Sequence, residues 1–221
     1  MNENRQQFQS TARTAFKRRA QRGTHDQATI NAILDEGFVC HVAFVADQTP
    51  MVLPTAYARR GDHLLLHGSA SNRTLRALAD GAEACIAVTL VDGLVFARSA
   101  FHHSVNYRSV VVFGRATEVV AADEKLAALA AIVEHIAPGR TSETRAPTAE
   151  ELGATKVLEV SIDEAGAKIR TGPPVDDEED HALPFWAGVV PLTTVAGVPV
   201  PCPRLAAGIE TPRSARNYRR L

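Results

Sequence analysis

Hydrophobic and polar positions change period several times along this chain, and each change marks an element. Residues 28–36 place Ile30, Ile33 and Leu34 on one helical face. Ahead of them, Thr24-His25-Asp26-Gln27 has capping-box spacing, with Thr24 as N-cap and Gln27 at N3, and Gly37 ends the helix. From Phe38 the pattern becomes β-branched and aromatic. FVCHVAFVA (38–46) reads as a strand, Asp47 to Pro50 as a turn, MVLPTAYAR (51–59) as a second strand, and HLLLHG (63–68) as a third after Arg60-Gly61-Asp62. Pro54 has no N–H for a ladder, so its strand lies at an edge or is bulged there. A helix from Ser71 to Asp80 ends at Gly81. Glu83–Val91 and Leu94–Ala100 read as a hairpin around Asp92-Gly93, and Tyr107–Val120 as a long strand bulged at Gly114.

Ala122–Ile136 is helical, with Leu126, Leu129, Ala130 and Val133 as its apolar face, and Pro138-Gly139 stops it. Residues 140–147 read as a loop. Thr148 to Glu151 repeats the capping-box spacing before a short helix, and Lys156–Ile162 and Ala167–Arg170 read as strands. Beyond Trp186 periodicity is poor. Strands joined by tight turns, with few helices between them, do not suit a parallel doubly wound sheet. They suit a mainly β, α+β fold: an antiparallel barrel with flanking helices. The chain divides into a basic arm (1–23), the barrel (24–172), and an acidic loop with a C-terminal extension (173–221).

Composition narrows the function classes. The net charge of -1 supplies no global field for nucleic acid or an anionic membrane. The first residues contain no apolar stretch of signal-peptide type and no run approaches a bilayer span, so a cytoplasmic protein without membrane partners is expected. Cys40, Cys85 and Cys202 are odd in number and in no CxxC pair, which argues against a disulfide framework or a zinc site. Arg5 to Arg22 carries six cations and no acid and reads as a solvated or partner-covering arm. Asp176 to Asp180 reads as a solvated loop.

Candidate chemistry gathers at LLLHGSASNRTLRAL (64–78), where a strand feeds small polar residues into a helix start. Free N–H groups, the helix dipole and the Arg73 guanidinium would converge there on a phosphate-sized anion; alternatively Ser69 or Ser71 is only an N-cap. His63 and His67 share a strand face about 13 Å apart, too far to chelate one metal. His102-His103 is the pair that a metal or haem reading would choose, yet adjacent strand residues face opposite ways, and the pair fits a corner between strands better. No protein-bound metal is expected. Alternation puts Arg108 on one face and Tyr107 and Ser109 on the other. There is no Rossmann fingerprint, P-loop or nucleophile elbow. A binding site without a general base suggests a cofactor that brings its own reactivity.

Three stretches carry a family resemblance: PTAYARRGDHLLLHGSASNRTLRAL, LVFARSAFHHSVNYRSVVVFGRA and FWAGVVPL. With them the chain resembles the flavin-nucleotide-binding proteins related to pyridoxamine 5′-phosphate oxidase, in the branch that includes the nitroimidazole-resistance flavoproteins. The resemblance implies a split β-barrel homodimer with two FMN molecules at the dimer interface. It places Pro54, Thr55 and Tyr57 along the isoalloxazine and ribityl chain. His67, Gly68 and Ser69 approach the flavin, with His67 as the candidate proton donor. Ser71 and Arg73 hold the phosphate, helped by Arg108 and Ser109, and Trp186 covers the ring from the other protomer. Where the oxidase commonly has Ser-Arg-Lys, this chain has Ser71-Asn72-Arg73, keeping one cation of two. The implied activity is an FMN-dependent oxidoreductase that passes electrons from NAD(P)H to a nitroaromatic, a quinone or oxygen. The alternatives are a non-catalytic FMN-binding protein and a haem-binding split barrel.

Overall fold

The computed structural model describes residues 6–219; Arg5 and Arg220 lie outside them. In chain order the elements are β1 (Gly23–Thr24), α1 (Gln27–Glu36), β2 (Val39–Ala46), β3 (Thr49–Arg60), β4 (His63–Ser69), α2 (Arg73–Ala79), β5 (Glu83–Phe96) and β6 (Ser104–Glu118). Then come α3 (Ala122–Ile136), α4 (Ala149–Ala154), β7 (Thr155–Ser161), β8 (Glu164–Arg170), β9 (Gly188–Pro191) and α5 (Arg213–Arg216).

All strand pairings are antiparallel, in the order β1-β8-β6-β7-β4-β3-β2-β5-β9, and a β5–β6 pairing closes the sheet into a barrel. Closure leaves no open edge in the ring β6-β7-β4-β3-β2-β5, and β8 with β1, and β9, flank it. The barrel is split because its long strands change partners. β6 pairs β8 through Tyr107–Phe113 and then β7 through Ala116–Glu118. β3 pairs β2 from Thr49 to Ala56 and β4 from Tyr57 to Arg60, so at Pro54 only one neighbour needs a ladder. The expected edge position of Pro54 is therefore local.

Two cores follow. Inside the barrel, Leu64 and Leu66 meet Val42, Tyr57, Val110 and Leu158, and α1 plugs one end with Ile30, Ile33 and Leu34. Outside, α3 lies on Ala58, Leu65 and Val157. The three consecutive leucines thus serve both cores in turn, which is why the run is unbroken instead of alternating.

Several expectations are corrected. The N-cap of α1 is Asp26, whose carboxylate accepts from the Thr29 N–H at 2.9 Å, while Thr24 pairs with Ala167 in the short strand β1. Asp92-Gly93 is not a hairpin turn: β5 runs through it with a register shift between Val91 and Gly93. β9 lies against Gly93, where a Cβ would come within 3.1 Å of the Val190 carbonyl oxygen, so the glycine serves close approach. Gly114 is not bulged but pairs in register with Ala84. It sits where β6 passes from β8 to β7, and a Cβ there would meet the Ser161 carbonyl oxygen at 3.1 Å. The buried face of α3 is Ala128 and Ile132, with Leu129 and Ile136 beside them; Leu126 and Val133 face outward. Small Ala128 is the residue that lets the helix approach the sheet, and an apolar-residue count alone puts the face one position off.

The basic arm is not free over its described length. Phe8 joins the barrel core, and Arg13 bridges Glu83 and Glu164. The Asp176–Asp180 run is not simply solvated either: Asp176 accepts from the Arg98 backbone N–H at 2.9 Å and from its guanidinium at 2.8 Å. The three cysteines are free, and burial pushes the Cys40 thiol up to about 12.

Asp47 and Gln48 join β2 to β3 with φ of 49° and 60°, the paired left-handed conformation that two-residue hairpins prefer and that glycine or asparagine usually fills. Gln48→Gly removes a side-chain clash there and is expected to raise the unfolding free energy by about 0.5–1 kcal/mol, read as a higher urea midpoint with an unchanged slope.

Candidate functional site

Strand alternation sorts the residues expected at the site. On β2, Cys40, Val42 and Phe44 point into the barrel, leaving Val39, His41, Ala43 and Val45 outside. Register then puts Pro54 opposite His41, Ala56 opposite Val39, and Ser109 between Thr89 and Lys168 on that same outer face. The face is floored by small residues such as Ala43, Ala56 and Ala87, and Val39, Val45 and Val52 are exposed on it. Tyr57 belongs to the other side: it is fully buried, and its hydroxyl donates to the Leu34 carbonyl at 2.6 Å. Thr55 pairs with buried Cys40 on that inner side, and Gly68 lies under α2, where a Cβ would be 3.0 Å from Leu75 Cδ1.

His67 shares the outer face with Leu65. Its Nδ1 is buried without a hydrogen-bond partner among the described residues, and desolvation lowers its pKa. It therefore stands neutral near pH 7, able to exchange a hydrogen bond with a ligand. At the end of β4, Ser69 Oγ lies 2.9 Å from Ser71 Oγ and accepts from the Ser71 N–H at 3.3 Å. The cap of α2 is neither serine but Asn72, whose side chain accepts from the Leu75 N–H. With α2 only seven residues long, an anion here would depend on the hydroxyls and on Arg73. That guanidinium is well exposed, with only a 3.3 Å contact to exposed Asp47.

Arg108 is not gathered into this corner. It lies between two carboxylates, donating to Asp92 at 2.7 and 3.0 Å and to Glu36 at 2.9 Å, and both hold its pKa above the usual arginine value. Glu36 precedes β2 and Asp47 follows it, so Arg108 and Arg73 are tied to opposite ends of that strand. Arg108 instead walls a cleft of about 630 Å³ with Phe38, Val39, Thr89 and Leu192. Ser109 Oγ donates to the Lys168 carbonyl at 3.3 Å. Trp186 is 67% exposed, its ring centroid 5.9 Å from that of Phe96.

A second cavity, of about 650 Å³, unites features that the sequence left unrelated. Arg18, Arg19 and Arg22 of the arm converge with Lys168 and Arg170 of β8, beside the His102-His103 corner. Arg170 is only 5% exposed; it donates to Asn106 Oδ1 and to the carbonyls of Gly172 and Pro173, and has no carboxylate partner among the described residues. Its Nε is buried and unpaired among the described residues. Burial, and then Arg22 nearby, lower its pKa. Arg19 is held at φ 54°, a left-handed conformation unusual for a side-chain-bearing residue. The signal in the sequence was a strand, AKIR, ending in a charge at a position the barrel buries.

The model of one known family, described as pyridoxamine 5′-phosphate oxidase, matches residues 26–169, from the first helix to the last barrel strand. The chain belongs to the pyridoxamine 5′-phosphate oxidase family. The chain is similar to a flavocytochrome from Azotobacter vinelandii: 40% identity, a TM-score of 0.89, and coverage of 95% of this chain and 97% of that one. It is likewise similar to the FAD- and haem-binding protein of Mycobacterium smegmatis, at 42% identity and TM-score 0.85 over 89% and 96%. A candidate 5-nitroimidazole antibiotic resistance protein of Bacteroides thetaiotaomicron shares the fold at 22% identity and TM-score 0.57, over 66% and 86%. No curated protein matches the chain. The antiparallel split barrel with few helices is thus the family fold. No helix among the described residues is long and apolar enough to cross a membrane.

Proposed function

We propose that this chain is a flavin-binding redox protein whose flavin lies on the outer sheet face between His67, Pro54 and the Ser69–Arg73 corner. What carries the reading is likeness at 40% and 42% identity, over nearly the whole of both chains, to a flavocytochrome and to an FAD- and haem-binding protein. The geometry supports it. A planar ring needs a flat apolar floor, which Ala43, Ala56 and Ala87 supply. The His67 Nδ1, unpaired among the described residues, offers a hydrogen bond to the ring's polar edge, and the hydroxyls of Ser69 and Ser71 with the exposed Arg73, held only by a 3.3 Å surface contact to Asp47, suit a phosphate. The exposed valines of that face, and Trp186, would be covered by a second copy in a homodimer. The flavin supplies hydride and single-electron chemistry when bound; these residues position it and keep water from its face. FMN needs only the Arg73 corner, while FAD brings a second phosphate and an adenosine to accommodate. Electrons would come from NAD(P)H and pass to a small acceptor.

The freshly purified protein is expected to be yellow and to release its flavin on heating, with chromatography telling FMN from FAD. Colourless protein that quenches neither flavin's fluorescence sinks the reading. Steady-state oxidation of NAD(P)H with nitroaromatic, quinone and oxygen acceptors separates an enzyme from a flavin carrier. Arg73→Ala is expected to weaken flavin binding by about 1.5–2 kcal/mol, a 10- to 30-fold rise in Kd, as for one charge-assisted hydrogen bond. An unchanged Kd places the phosphate elsewhere.

Haem is a second reading, favoured by the His102-His103 corner beside a cavity rich in cations. It would make the protein a two-cofactor carrier in which flavin and haem exchange electrons.

A further inference from the structure

The geometry points to the cavity between the N-terminal arm and the end of β8 as a haem site, in which Arg170 and Arg22 would hold the propionate carboxylates and His103 would supply a ligand to the iron. This inference rests on the haem reading above and goes beyond it by naming the residues.

The cavity needs an anion. Five cationic side chains line about 650 Å³, and among the described residues Asp177 is the only acid in its lining. A buried guanidinium without a carboxylate is costly, and leaving one of its N–H groups unpaired adds to the cost. Like charges crowded together also repel, so the arrangement is stabilised only when negative groups enter. A ligand with two carboxylates on one edge answers Arg170 and its neighbours together. The apolar remainder of a porphyrin would lie against Tyr107 and the exposed ring of Phe101 at the same cavity.

His103 is set up as a metal ligand. Its Nδ1 lies 3.0 Å from the Ser99 carbonyl oxygen, which can only accept. That contact puts a proton on Nδ1 and leaves Nε2 as the ring atom open to a metal, the arrangement in which a backbone carbonyl orients ligating histidines. The ring is steadied edge-on against Phe96, with centroids 5.8 Å apart. His102 is occupied differently: its Nε2 lies 3.2 Å from Asp177 Oδ2. The two adjacent histidines sit on a short helical corner, not on a strand, so one can face the cavity while the other ties down the acidic segment.

The test uses full-length protein expressed with haem supplementation, reading the Soret band for haem and the 450 nm band for flavin separately. His103→Ala is expected to abolish or shift the Soret band, with flavin content unchanged. Arg170→Gln is expected to weaken haem retention at least tenfold, and Arg170→Lys to restore much of it; Arg22→Gln, on the more exposed side, repeats the test without touching a buried group. Flavin content equal to wild type reports that each variant is folded. Haem bound with wild-type affinity and spectrum in His103→Ala and in Arg22→Gln overturns the proposal, as does flavin-loaded wild type that takes up no haem. The second result leaves the flavin reading standing. Loss of FAD binding with FMN binding and haem untouched, in Arg170→Gln and Arg22→Gln, also overturns it and assigns the cations to a dinucleotide's phosphates.

Discussion

Replacing Leu66 with alanine is expected to lower the unfolding free energy by about 3–4 kcal/mol, among the larger single-residue losses available in this protein. Leu66 is fully buried on β4, paired with Tyr57 across the sheet, and packed in the barrel core where α1 closes the end. Three terms add. The removed methyl groups lose their transfer free energy, the closed wall cannot collapse around the gap, and Tyr57 is fixed by its hydroxyl on the Leu34 carbonyl, so its ring cannot slide in. For a chain of this size that corresponds to a melting temperature lower by roughly 6–16 °C. The urea midpoint should fall with the slope unchanged. A loss under about 1 kcal/mol would mean that the core relaxes, and that the barrel end is less constrained than the Tyr57 hydrogen bond implies.

The same stretch explains what could be read from the sequence. The Leu64-Leu65-Leu66 run announces a strand buried on both faces, and the turns at Arg60-Gly61-Asp62 and Asp47 announce antiparallel neighbours. Local chemistry of that kind carries most of the fold. What it could not carry is where a strand changes partners. Gly114 reads as a bulge because a glycine in a strand has two ordinary uses, and only the approach of Ser161 selects the second. Asp92-Gly93 reads as a turn because that dipeptide usually makes one, until β9 lies across the glycine and Arg108 takes the aspartate. Thr24 loses the cap to Asp26 because a tertiary pairing with β8 claims it.

The candidate site was legible to the extent that period-2 alternation is. Pro54, His67, Ser69 and Ser109 share the outer face, and the hydroxyls of Ser69 and Ser71 meet. Tyr57 and Arg108 could not be sorted, since partner identity across a barrel is not written in spacing. The basic arm, the histidine pair and the buried end of β8 are more than 60 residues apart from one another in sequence. Each alone has a bland explanation, and the cavity they form exists only after the barrel closes.

Arg108→Ala is expected to destabilise the fold by about 2–3 kcal/mol while leaving flavin content as in wild type. The guanidinium, Glu36 and Asp92 are each less than a third exposed at the mouth of the barrel. Removing the cation leaves two carboxylates facing one another across the space it filled, and desolvation keeps water from compensating fully. The full cost of a broken buried pair, about 3–5 kcal/mol, is reduced here because solvent still reaches all three groups. Adding Glu36→Gln and Asp92→Asn should restore at least half of the loss, since the penalty is that of unpaired charge more than of missing attraction. High salt should narrow the gap between wild type and the single variant. A phosphate-holding Arg108 predicts the reverse: stability nearly unchanged, flavin affinity down tenfold or more, and no rescue by the two neutralised acids. The two outcomes separate cleanly, because the carboxylates that hold Arg108 stand at the opposite end of β2 from the Arg73 corner.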